Sequence, residues 1–150
     1  MMPAMSKHVV DLFAGYGTIS LPLLDQVARL LAVERSESAL TALRAGADAA
    51  GLGGRVTVAL RNLFDAPLIA QELAGFDLAI LDQPHRGAAE QCRMLAKADI
   101  GKVAMISCNP ASFARDASKL INAGFRLEWV QVIDQFLFSN HLEIVGAFHR

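Results

Sequence analysis

The sequence predicts an α/β fold: an open, mostly parallel sheet with helices on both faces and a C-terminal antiparallel hairpin. Three observations carry this. Seven short apolar runs alternate with segments of helical spacing along the 150 residues. Helix-capping residues and helix-stopping glycines punctuate those segments at the right places. The last two apolar runs are joined by a short loop with no helix between them, so they pair antiparallel, because parallel neighbours need a crossover of about a dozen residues or more.

In chain order, Val9 to Phe13 reads as the first strand, Thr18 to Leu30 as a helix and Leu31 to Glu34 as the second strand. Ser36 can cap the next helix, in which Leu40, Leu43, Ala47 and Ala50 share a face before Gly51 ends it. Arg55 to Leu60 and Phe76 to Leu81 give the third and fourth strands, and Ala88 to Ala96 is helical. Lys102 to Ser107 is the fifth strand. Asn109 then serves as N-cap and Pro110 fits the first helical position, where its missing N–H costs nothing. Phe113, Ala117, Leu120 and Ile121 follow at helical spacing up to Gly124. Phe125 to Ile133 and Leu142 to Phe148 form the hairpin. No repeat, low-complexity tract or linker divides the chain, so residues 1–150 are expected to form a single domain.

Composition narrows the function classes. With 53% apolar and 19% charged residues the chain is globular and not disordered. No apolar run approaches the roughly 18 residues of a membrane span, and Met1 to Lys7 lacks a signal peptide's apolar stretch, so a cytoplasmic protein with no membrane partner is expected. Cys92 and Cys108 are too few for a disulfide framework and match no zinc spacing, so no metal is expected. A net charge of −1 predicts weak or absent electrostatic binding of nucleic acid by this domain alone.

Ligands of such sheets bind outside the carboxyl ends of the strands. That rule selects Asp11 to Gly17, Glu34, Asn62, Asp82 to Gly87, and Cys108. Gly15 and Gly17 follow the first strand directly, where a backbone without Cβ atoms can approach a ligand. Glu34 ends the second strand, at the distance suited to accepting hydrogen bonds from ribose hydroxyls. Dinucleotides and S-adenosylmethionine both fit this arrangement, but Ser20 occupies the place of the dinucleotide fingerprint's third glycine. Cys108 lies between a strand's carboxyl end and a helix N-terminus, where reactive cysteines are found, although a free cysteine is also a good small core residue. Cys92, with Ala88, Leu95 and Ala96 in a helix-like stretch, reads as core packing, and so do Trp129 and Phe125 in their strand.

The segments "DLFAGYGTISLPLL", "AVERSESAL", "RNLFDAPL", "FDLAILDQPHRGA", "SCNPASFARD" and "DQFLFSNHLEIVGAFHR" together resemble the catalytic domain of the RNA 5-methyluridine (uracil-C5) methyltransferase family, from about Val9 to Arg150. The resemblance implies a Rossmann-like class I methyltransferase fold, S-adenosylmethionine as cofactor and uridine in ribosomal or transfer RNA as substrate. It covers only the catalytic, C-terminal part of such an enzyme, without the N-terminal RNA-binding regions. The surface those regions would cover offers a place for a homodimer to form.

Position by position, the resemblance makes Cys108 the nucleophile that adds to C6 of uracil and Glu143, in "HLE", the base that removes the C5 proton. His141, two residues before it, is placed to orient that base or contact RNA, although a loop histidine is more often simply solvated. Asp11, Phe13, Gly15, Gly17, Glu34, Asn62 and Asp82 fall to the cofactor: the glycines to its methionine part, Glu34 to the ribose, Asn62 to the adenine amino group and Asp82 to the junction with uracil. Pro84, Arg86 and Asn109 fall to the substrate. Three positions depart from the family's pattern. In "DQPHRG", Gln83 replaces a proline, and His85 stands where an arginine belongs, with Arg86 displaced by one. Asn62 stands where aspartate is frequent. Cytosine-5 methyltransferases place a cysteine beside the proline after the fourth strand; here that site is Gln83-Pro84, which favours uracil. Two other readings use the same fold: a non-catalytic fragment that retains cofactor binding, and a small-molecule methyltransferase, which has no need of the SCNP cysteine.

Overall fold

The computed structural model describes residues 8–134, 138 and 142–150. The elements run β1 (His8–Leu12), α1 (Ser20–Leu23), β2 (Arg29–Glu34), α2 (Glu37–Ala49), β3 (Val56–Leu60), α3 (Ala70–Leu73), β4 (Leu78–Asp82), α4 (Ala89–Lys97), β5 (Lys102–Ser107), α5 (Pro110–Asn122), β6 (Arg126–Ile133) and β7 (Glu143–His149). They form a seven-stranded sheet in the order β3-β2-β1-β4-β5-β7-β6, parallel except for β7, which runs antiparallel to both β5 and β6. The expected fold is therefore the observed one.

Alternation along the strands divides the core into two layers. Val9, Leu30, Ala32 and Ile80 pack with Leu43 and Ala47 of α2 on one face. Val10, Leu12, Leu81, Val103 and Met105 pack on the other with Cys92 and Leu95 of α4 and with Phe113, Ala117 and Leu120 of α5. Two capping side chains act as expected: Ser36 Oγ accepts from the Ala39 N–H, and Asn109 Oδ1 from the Ala111 N–H.

Two expectations fail. The helix expected over Thr18 to Leu30 is only α1, Ser20–Leu23. Ladder pairing with β1 claims Arg29 and Leu30 for β2, opposite His8 and Val9, and Arg55 Nη1 takes the carbonyls of Leu24, Asp25 and Val27 that a longer helix would have used. Tertiary pairing thus overrides local helical spacing. Trp129, expected in the core, is 50% exposed, because β6 is an edge strand that is exposed over nearly all its length, whereas Phe125 is buried as expected. His141 and Met1 to Lys7 lie outside the described residues. Among the described residues no helix is long and apolar enough to cross a membrane, and no group of three or more His, Cys, Asp or Glu side chains could hold a metal ion.

Candidate active site

The strand order reverses between β1 and β4, which both pair with their neighbours in parallel. Loops leaving the carboxyl ends there part company and open a cleft. A cavity of about 230 Å³ occupies it, lined by Phe13, Glu34, Arg35, Arg61, Asn62, Leu63, Phe64, Asp82 and Pro84. Five of the ten residues expected at a cofactor or a substrate, namely Phe13, Glu34, Asn62, Asp82 and Pro84, thus share one cavity.

Two carboxylates, Glu34 and Asp82, line the cavity beside Arg35 and Arg61, and a third, Asp11, lies buried within reach of both their charges. Asp11 is 1% exposed; its Oδ2 accepts from Ser20 Oγ and its Oδ1 has no hydrogen-bond partner. Burial pushes its carboxyl up to about 7 against the lowering effect of the Ser20 hydroxyl, with further repulsion from Asp82 and Glu34. Asp82 opens to solvent along the cleft, yet the surrounding walls remove enough water to raise its carboxyl to about 6, and the charge of Glu143 adds to the rise. Such shifts, from desolvation and from like charges gathered at one place, are typical of functional sites.

The rim is built by backbone conformation. Phe13 adopts φ 64°, a left-handed geometry that costs a non-glycine residue about 1 kcal/mol and is retained here to turn its ring against Phe64, with centroids 5.2 Å apart. Gly15 (φ 57°) donates its N–H to Glu34 Oε2 at 2.9 Å, and a Cβ on it would enter open space. Glu34 Oε1 accepts from the Arg35 and Ser36 N–H groups, so this carboxylate ties the Gly15 loop to the start of α2. Gly17 has a different reason to be glycine. A Cβ there would lie 2.8 Å from Leu43 Cγ and 3.0 Å from Leu21 Cγ, so close packing against α2 calls for glycine at this position.

Asn62 holds its own turn: its Oδ1 accepts from the Phe64 N–H and its Nδ2 donates to Asp65 Oδ2. Arg61, a residue the sequence did not single out, pins the following segment through the Ala66 and Pro67 carbonyls and the Glu72 carboxylate. Arg86, expected at the substrate, lies with its guanidinium 3.4 Å from the Phe64 ring centroid and lines a neighbouring cavity of about 170 Å³ with Phe13, Leu63 and Arg115. Its cation is directed at an aromatic face.

Cys108 follows β5 at the start of α5. The last ladder pair of β5 and β7 is Ser107 with Ile144, which leaves Cys108 and Glu143 as the next facing positions. The two residues expected to be catalytic, far apart in sequence, are therefore neighbours in register. Cys108 Sγ lies 3.6 Å from His85 Nδ1. The Asn109 amide spans the two loops: Nδ2 donates to the His85 carbonyl at 2.9 Å while Oδ1 caps α5. Cys92, by contrast, is fully buried in α4, and burial pushes its thiol well above the ordinary range.

His85 is the residue whose contact sequence reasoning missed. The signal was present in the strand order: Asp82 pairs with Ile106, so the loops after β4 and β5 leave the same edge side by side. Gln83 is also unexpected, since it is buried and both polar atoms of its amide lack partners.

Known proteins resemble the chain along nearly its whole length. The family described as tRNA (uracil-5-)-methyltransferase matches residues 2–149. A Caulobacter vibrioides protein named as an RNA methyltransferase is 43% identical over 145 residues, covering 97% of this chain and 35% of that protein. The 23S rRNA (uracil(1939)-C(5))-methyltransferase RlmD of Cupriavidus metallidurans is 35% identical over 156 residues, covering 97% of this chain and 33% of that one. Among solved structures, the Pyrococcus abyssi tRNA (uracil-54, C5)-methyltransferase, in complex with S-adenosyl-L-homocysteine, superposes with a TM-score of 0.83 at 23% identity over 97% of this chain and 35% of its own. The chain spans about a third of the length of these relatives. With the match running from end to end, the chain belongs to the tRNA (uracil-5-)-methyltransferase family.

Proposed function

We propose that this domain is the catalytic unit of an S-adenosylmethionine-dependent RNA methyltransferase that methylates uridine at C5 through a covalent adduct on Cys108. The observation that carries the reading is the last β5–β7 ladder pair, Ser107 with Ile144, which leaves Cys108 and Glu143 as the next residues at the two strand ends, with the Glu143 charge acting on Asp82 of the cavity. The donor set suits the cofactor. Asp11 keeps an unused buried acceptor for a cationic group, Glu34 keeps lone-pair capacity on Oε2 for a hydroxyl, and Phe13 and Phe64 give the cavity aromatic walls. When bound, S-adenosylmethionine supplies an electrophilic methyl group on a sulfonium.

Uracil C5 is too weak a nucleophile to take a methyl group unaided. Addition of the Cys108 sulphur to C6 sends the C5–C6 π electrons towards the C4 carbonyl and makes C5 nucleophilic. After methylation Glu143 removes the C5 proton, the ring double bond re-forms and the S–C6 electron pair returns to sulphur. Asp82, which lines the cavity and feels the Glu143 charge, stands at the junction of cofactor and base. The domain's net charge of −1 leaves the grip on RNA to other parts of the protein.

The test is a covalent trap. Incubation with S-adenosylmethionine and RNA containing 5-fluorouridine, which lacks the C5 proton, is expected to leave a denaturant-resistant protein–RNA adduct. Cys108→Ser should abolish it by at least ~10³-fold, and Cys92→Ser should leave it intact. Calorimetry with S-adenosylhomocysteine reports the cofactor site separately: micromolar binding is expected, and a Gly15→Val, Glu34→Ala double variant should lose it. A folded protein that neither binds nor traps would mean that the fold persists without this function.

A further inference from the structure

We propose that His85 is the proton partner of Cys108, taking the thiol proton through Nδ1 when the sulphur adds to the base and returning it when the sulphur leaves. The proposal rests on the uracil-addition reading for its substrate and on the structure for its geometry. Nδ1 stands 3.6 Å from Sγ, within the range for a hydrogen bond to sulphur. The contact is held from both sides. The His85 carbonyl accepts from Asn109 Nδ2 at 2.9 Å and from Ser112 Oγ at 3.1 Å, so the loop after β4 is fastened to the first turn of α5, the helix whose N-cap follows Cys108. Ser107 Oγ, which exchanges hydrogen bonds with the backbone of Asn109, stiffens the same turn. Loop, cap and nucleophile therefore move as one body, and the imidazole is positioned by its backbone, not by burial.

The charged groups of the surrounding elements leave this task to His85. Asp82 at the end of β4 and Glu143 at the start of β7 are the neighbouring carboxylates, and Glu143 is committed to the C5 proton. Arg86 lies over Phe64, and Arg115 of α5 is paired with Asp116, so neither described cation is directed at the sulphur. In the addition step the S–H proton moves to Nδ1, the sulphur lone pair forms the bond to C6, and the π pair moves towards the C4 carbonyl oxygen. In the elimination step the S–C6 pair returns to sulphur, which recovers its proton from the imidazolium. Protons and electrons balance without any further reactant.

The experiment first measures alkylation of Cys108 by iodoacetamide as a function of pH, without RNA, in the Cys92→Ser background. At pH 6 to 7 the parent is expected to react at least tenfold faster than His85→Gln and His85→Asn, with the three rates converging above pH 9. His85→Asn keeps a polar group near the position of Nδ1 but cannot carry the proton, so its loss separates proton exchange from mere positioning. Both changes leave the carbonyl that fastens the loop, and the side chain is exposed, so folding is not at stake. The same variants are then tested for the rate of adduct formation on 5-fluorouridine RNA, where a loss of tenfold or more, largest at low pH, is expected. Superimposable alkylation profiles would overturn the proposal even if the parent traps RNA, and so would an Asn variant that restores the parent profile. A His85-dependent profile with no RNA adduct would instead retain the Cys–His pair and overturn the substrate reading.

Discussion

Asp11 and Asp116 are carboxylates of nearly equal burial, 1% and 0% exposed, in opposite circumstances. Asp116, on α5, is fully provided for: Arg115 and Lys119 pair with it, and its Oδ2 accepts from the Ala88 N–H at 2.8 Å. Asp11, at the carboxyl end of β1, has one hydroxyl donor, one orphaned oxygen and two carboxylates nearby. A protein that can satisfy a buried carboxylate on its flank and leaves another unsatisfied at its cleft has arranged the second for something else. The two cysteines repeat the lesson. Cys92 is sealed in the core beside α5, while Cys108 stands at a strand end with a histidine in contact.

The largest effect should come from making Asp11 resemble a neutral group. Its folded-state carboxyl lies near 7, above the ordinary 3.8, so the folded protein holds a proton that the unfolded chain has released over that interval. Stability is thus fully present below about pH 3.8 and is lost as pH rises through about 7. The loss is on the order of 4 kcal/mol from this group, since each pKa unit is worth about 1.4 kcal/mol. Asp11→Asn should remove the larger part of that slope, the remainder belonging to Asp82: urea denaturation at pH 5 and pH 8 should show the variant gaining on the parent at the higher pH. A parent and variant with parallel pH profiles would mean that Asp11 is not strained by burial.

Asp116→Ala should act in the other direction. It strips a buried N–H, that of Ala88, of its acceptor and leaves Arg115 and Lys119 without their partner, a cost of about 2–3 kcal/mol in the same denaturation experiment. Asp116→Asn retains an acceptor for Ala88 and should lose no more than about half as much. Either Asp116 variant should keep the parent's loss of stability between pH 5 and pH 8, because that slope comes from Asp11 and, in smaller part, from Asp82.

How far the sequence foretells this contrast depends on what each feature needs. Strands and their carboxyl ends were legible, because apolar runs of β-branched residues declare themselves locally and ligand-facing residues cluster where the runs stop. Hence Asp11, Glu34, Asn62, Asp82 and Cys108 could all be placed at strand ends. Pairing, apart from the C-terminal antiparallel hairpin, was not legible. The helix after Gly17 shrank because β1 claimed Arg29 and Leu30 for a ladder. Trp129 is on the surface because β6 ends the sheet. His85 reaches Cys108 because β4 and β5 are adjacent, and the glycine at 17 answers to Leu43 across the layer. Each of these depends on which segments meet, which periodicity does not encode.

The smallest effect is the most direct on function. S-adenosylmethionine carries positive charge on its sulfonium and its ammonium group. Binding near Asp11 and Asp82 should draw down carboxyls that stand near 7 and 6. At pH 6.5 part of each group is protonated, so binding should release a fraction of a proton per site. Calorimetry in two buffers of different ionisation enthalpy reads that fraction as the difference in apparent binding heat. Asp11→Asn should reduce it, and Asp116→Asn should leave it unchanged. S-adenosylhomocysteine, which lacks the sulfonium charge, should release less. Proton uptake in place of release would mean that the unsatisfied oxygen of Asp11 is turned away from the bound cation, and the contrast between the two carboxylates would then be one of packing alone.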